Sequence, residues 1–188
     1  MDDLALLKGV LGKTADLLDG VKQDDWDKPT PCPEYTVKEL VGHMVGWSAS
    51  FEAAANGRRP EDDPSTYQPT GNSAAEFRAA TQAMVAGWTA NGMDREVSLV
   101  GPSAMPAQMV FDMTLMEYLA HGWDLGTATG QPMPYTDDEA QEVLERAKRG
   151  PMANDEYRGE GKPFANIVDL PDSAPALDRF AGFMGRRP

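Results

Sequence analysis

Residues 106–130 read PAQMVFDMTLMEYLAHGWDLGTATG, and this stretch decides the fold. Met109, Val110, Met113, Leu115, Met116, Leu119 and Leu125 recur at helical spacing, with Pro106 at a natural start and Gly130 at a natural stop. The pattern predicts one long helix over about 106–129. Working outward, Leu4, Leu7, Val10, Leu11, Thr14, Leu17, Leu18 and Val21 make residues 2–21 an amphipathic helix. The segment Asp27-Lys28-Pro29-Thr30-Pro31-Cys32-Pro33 forbids helix, because its prolines fix φ and restrict the residues before them. Thr36 with Glu39 forms a capping box for a second helix, 36–55, which stops at Asn56-Gly57. The polar stretch 58–72 is long enough to cross the end of a bundle. Ser73 with Glu76 repeats the capping box for a third helix, 73–91, lined by Ala80, Met84 and Trp88. Arg95 to Met105 reads as a short hairpin or irregular element around Gly101-Pro102. Thr136 with Glu139 caps a fifth, charged helix to about Arg149; Pro/Gly-rich chain follows to Asp178, then a short apolar turn, Phe180 to Met184. The expectation is an all-α four-helix bundle with an irregular C-terminal wrap.

Composition narrows the partners. At 188 residues the chain suits one domain, 1–188, with a core of ordinary size. Acidic residues outnumber basic ones, 30 against 17, for a formal charge of −13. That excludes nucleic acid and an anionic membrane surface, both of which need clustered Lys and Arg. One cysteine permits no intrachain disulfide and suits a reducing cytosol. The acidic start Met1-Asp2-Asp3-Leu4 is no signal peptide, and no apolar run approaches the ~20 residues of a membrane helix. A cytoplasmic protein is expected.

The most selective count is histidine: there are only two, His43 and His121. On the second helix, Leu40, Met44, Trp47 and Phe51 share an apolar arc, and His43 sits at its edge. On the fourth, Glu117 and His121 are four apart and stack on one face with Val110, Met113, Asp124 and Ala128. A carboxylate in such a stripe is expensive unless its charge is compensated, and a bound cation compensates it. Two imidazoles and a carboxylate are the ligand set of a catalytic zinc site and of non-haem iron(II). Asp124, a turn on, can accept a ligand N–H. The alternative is a Glu117–His121 ion pair with His43 merely packed. Cys32 reads as a small buried residue. Trp123 lies about 120° off the ligand face and reads as packing.

These residues carry a resemblance. Thr30-Pro31-Cys32-Pro33-Glu34-Tyr35-Thr36-Val37-Lys38-Glu39-Leu40-Val41-Gly42-His43 resembles the opening of the actinobacterial DinB-like metal-binding proteins, relatives of the N-terminal domain of mycothiol-dependent maleylpyruvate isomerase. Glu117-Tyr118-Leu119-Ala120-His121-Gly122-Trp123-Asp124-Leu125-Gly126-Thr127-Ala128-Thr129-Gly130 resembles their second signature. The ending, Asp178-Arg179 through Gly185-Arg186-Arg187-Pro188, resembles their tail. The resemblance implies a DinB/YfiT-like bundle with a divalent metal, zinc first and nickel or iron as alternatives, held by His43, Glu117 and His121. It also implies mycothiol as thiol co-substrate. The isomerase carries a second domain contributing to its active site, for which a chain stopping at Pro188 has no room. The expectation is therefore a metal-dependent thiol S-transferase, monomer or homodimer, in which a metal-bound thiolate attacks a small electrophile. Trp47 and Met113 would line the pocket. A non-catalytic binding or sequestering protein, a mycothiol-dependent isomerase and a metal-assisted hydrolase are the alternatives.

Overall fold

The computed structural model describes residues 2–188 apart from Val100, Pro102 and Pro163. Four long helices form its frame: α1 (Asp3–Asp19), α2 (Val37–Ala55), α3 (Ser73–Asn91) and α4 (Ala107–Thr129). Two shorter ones follow, α5 (Asp137–Arg149) and α6 (Ala176–Phe183). α1 and α2 each pack against both α3 and α4, closing a four-helix bundle, while α5 lies on α4 and carries α6. Covered on several sides, α4 buries Val110, Phe111, Leu115, Met116, Leu119 and Leu125 around its circumference.

The local signals explain most helix ends. Thr36 and Glu39 exchange capping bonds at the head of α2, as do Thr136 and Glu139 at the head of α5. The box expected at Ser73 and Glu76 does not form. Ser73 Oγ instead bonds both the N–H and the C=O of Thr70, and Glu76 accepts from the Tyr67 hydroxyl at 2.6 Å. Those side chains are spent on tying down the preceding loop, and α3 starts from Asn72 without a side-chain cap.

That loop holds a second correction. Rather than crossing the bundle end, residues 58–72 run back along α2. A Cβ on Gly46 would stand 2.1 Å from the Pro64 carbonyl oxygen, so the loop can pass there only over glycine. One turn earlier, Gly42 faces Pro69. The expected hairpin is present as β1 (Glu96–Ser98) and β2 (Ala104–Pro106), antiparallel with Val97 opposite Met105. Its expected turn includes Pro102, which lies outside the described residues. The C-terminal wrap is more ordered than its Pro/Gly content implied. Buried Arg158 donates to the carbonyls of Met152 and Ala165 and lies 4.6 Å from the Phe183 ring centroid, and α6 begins right after Pro175, ahead of the expected apolar turn.

Candidate metal centre

His43 on α2 and Glu117 and His121 on α4 converge between the two helices. A ligand atom from each lies within 4.8 Å of those of the other two. His43 Nε2 stands 2.7 Å from Glu117 Oε1, and His121 Nε2 stands 3.6 Å from the same oxygen. His43 and Glu117 keep 19% and 24% of their side-chain surface exposed, so a small molecule can reach them. Burial pushes the Glu117 carboxyl up, but with no metal bound the two histidines in their protonated form, together with Arg186, outweigh it and hold it below the usual carboxylate range.

Each imidazole has a partner on its far nitrogen. His121 Nδ1 lies 3.1 Å from Asp124 Oδ2. Asp124 is fully buried and also accepts two bonds from Arg186, at 3.1 and 2.7 Å. Burial works against its charge, and the bonds from His121 and Arg186 win, keeping it ionised. An ionised Asp124 accepts a hydrogen bond from Nδ1–H of His121, so in the neutral imidazole the lone pair sits on Nε2 and faces the Glu117 oxygen. Two acceptors 3.6 Å apart want a cation between them. The donor set therefore fits a metal ion.

Tyr35 is the second far-side partner, its hydroxyl 3.1 Å from His43 Nδ1 and its ring 4.9 Å from the imidazole. Burial first, then the nearby acidic groups, among them the carboxylates of Glu34, Glu117 and Glu39, push its hydroxyl up to about 12. It stays protonated and can accept Nδ1–H or donate to Nδ1. Trp47, one turn along α2, places its ring 6.1 Å from His43, and Met113, one turn before Glu117, is partly buried against the core.

Cys32, His121 and Asp124 also lie within 4.8 Å of one another. The first set is better placed to bind an ion. Asp124 is committed to Arg186, and burial pushes the Cys32 thiol up, towards the protonated form that does not ligate. Trp123 is buried, as its angular position implied. Sequence reasoning assigns no role to Tyr35 or Arg186. Arg186 clamps Asp124, 62 residues away in sequence. Both lie inside the quoted motifs, so the motifs themselves were the available signal.

A sequence profile described as the mycothiol maleylpyruvate isomerase N-terminal domain matches residues 9–126. Two relatives, each named only as an uncharacterized protein of Mycobacterium tuberculosis, are 32% identical over 193 residues, covering 99% of this chain and 98% of their own. Crystal structures of mycothiol-dependent maleylpyruvate isomerase and of a histidine-to-alanine mutant align with TM-scores of 0.60 and 0.61. The alignment spans 88% of this chain and 72% of the isomerase, at 16% identity, which speaks for the fold. Among the described residues, no helix is long and apolar enough to cross a membrane.

Proposed function

Because the chain belongs to the mycothiol maleylpyruvate isomerase N-terminal domain family, we propose that it is a metal-dependent thiol S-transferase of the mycothiol type, acting on a small electrophile. The observation that carries this reading is the meeting of His43, Glu117 and His121 in one partly open place. His43 and His121 would hold the ion through their nitrogens and Glu117 through its carboxylate, zinc first and nickel or iron as alternatives. A divalent cation held there supplies the positive charge that makes a thiol acidic enough to ionise near neutral pH.

The chain's own residues prepare the rest. Asp124 keeps the proton of His121 on Nδ1 and so leaves Nε2 free to ligate. Arg186 keeps Asp124 charged for that task. The Tyr35 hydroxyl accepts Nδ1–H from His43, freeing its Nε2 in the same way. Glu117 offsets one unit of the cation's charge. Trp47 stands beside His43, its ring 6.1 Å away. The thiolate sulfur forms a bond to the electrophilic carbon, and the displaced electron pair departs with the leaving group or moves onto the acceptor.

The test is to incubate zinc-loaded protein with mycothiol and a halogenated bimane and to follow the thioether by mass spectrometry. We expect thiol-dependent conjugate well above the uncatalysed amount, lost together with the metal in His43→Ala. Undiminished transfer by a metal-free His43→Ala protein overturns the reading. The isomerase reading is favoured by the family match and the fold; it requires the thiol to be released again, so free thiol would be regenerated and no thioether would accumulate.

A further inference from the structure

A cavity of about 580 Å³ opens beside the centre, with His43 and Tyr35 in its wall. Its charged lining is one-sided. Asp27, Glu34 and Glu39 contribute three carboxylates, against one ammonium, that of Lys38, among the described residues. Lys38 is itself drawn aside, its Nζ 5.3 Å from the centroid of the Trp26 ring. Glu39 is held ionised by the backbone N–H and hydroxyl of Thr36. Asp27 and Glu34 are both exposed. The wider molecule offers no relief, at a formal charge of −13.

We infer that this cavity selects a thiol without carboxylate groups, uncharged or cationic, and turns away anionic thiols. The inference deepens the thiol-transferase reading and rests on it. The physical reason is unfavourable Coulomb energy. A ligand carboxylate placed among three like charges is repelled by each, and the single ammonium is too few to balance them. The centre favours any thiolate sulfur, so it sets affinity for thiols as a class. The lining then sorts them by what else they carry. Such selection is also sensitive to salt, because exposed charges are screened over about 10 Å at 0.1 M.

Three small thiols of graded charge test this: 2-aminoethanethiol, 2-mercaptoethanol and mercaptoacetate. Each is titrated into cobalt-loaded protein, and the thiolate-to-cobalt absorption band reports binding independently of turnover. The same titrations are run on the Asp27→Lys/Glu34→Lys double variant. Both positions are exposed and outside the ligand set, so fold and metal content should persist. The ratio of variant to wild-type affinity for each thiol cancels that thiol's own acidity. We expect mercaptoacetate to gain roughly tenfold in the variant, 2-mercaptoethanol to change less than about twofold, and 2-aminoethanethiol to lose roughly tenfold, all shrinking at 0.5 M salt. Equal ratios for the three thiols overturn this inference and leave thiol binding standing. If none of the thiols produces the band, the thiol-transferase reading fails and the selectivity falls with it.

Discussion

Two clusters of charge in this protein look alike on a contact map and differ in what completes them. Where α5 meets α1 and α4, Arg146 gathers Asp3, Asp112 and Glu142 at 2.7, 2.9 and 3.0 Å, with only 9% of its own side chain exposed. Its cation is covalently part of the chain and permanently charged. Between α2 and α4, Glu117 faces two imidazole nitrogens, at 2.7 and 3.6 Å, and among the described residues no lysine or arginine bonds it. There the positive charge must be a proton or something brought in. The first cluster is closed and holds three segments together. The second is open, and it costs the fold something to keep it ready.

The comparison breaks most sharply under mutation. Glu117→Gln removes the anion that a divalent ion needs, and metal affinity should fall by about a thousandfold or more, twice the free-energy scale of losing an outer partner. Equilibrium dialysis against zinc measures it, with melting temperature little changed. Arg146→Ala should do the reverse. It strands three partly exposed carboxylates and costs about 2 kcal/mol in urea unfolding, below the 3–5 kcal/mol of a fully buried pair, with full metal content retained. If Arg146→Ala lost metal as well, the two clusters would not be independent.

Asp124→Asn sharpens the same contrast one bond further out. Asn in place of the carboxylate weakens its hold on the Nδ1 proton of His121 and its bonds to Arg186, so metal affinity should drop about 10–100-fold. Tyr35→Phe is the milder counterpart on His43, with a loss of a few-fold, on the order of 1 kcal/mol. Should the two effects be equal, the burial of Asp124 would not matter.

Acid separates the clusters least but tests the electrostatics of the fold. Glu139 is held below the usual carboxylate range, burial being outweighed by Lys13 and by the Thr136 donors. Its folded value lies below its unfolded one. The stability it contributes is therefore fully present above the unfolded value, near 4.5 for a free glutamate, and is lost as pH falls through the folded value. Melting temperature should be level from pH 6 to 8 and drop below about pH 4.5. The drop should be shallower in Glu139→Gln, measured by circular dichroism.

Much of this architecture is legible in residues that lie within a turn or two of one another. The capping boxes at Thr36 and Thr136 form as their spacing implies, because both partners belong to one helix start. The same rule fails at Ser73 and Glu76, where a competing partner, the 58–72 loop, arrives from outside the helix and takes both side chains. Glu117 and His121 share a face for a reason internal to α4. Gly122, between His121 and Trp123, also has a reason sequence cannot show: a Cβ there would meet the Tyr135 hydroxyl at 1.7 Å, so the chain entering α5 packs directly on the helix backbone.

By itself, then, the sequence determined the helices, most of their ends, the acidic balance and the pairing of Glu117 with His121 along one helical face. Each of these follows from spacing within a few residues, where backbone geometry dictates which side chains meet. Only the tertiary structure decided that His43 reaches Glu117 across 74 positions, that Arg186 clamps Asp124 across 62, and that a loop laid over Gly42 and Gly46 helps wall an acid-lined cavity at His43. Those contacts depend on how whole helices pack and where the chain returns, and no local period encodes that.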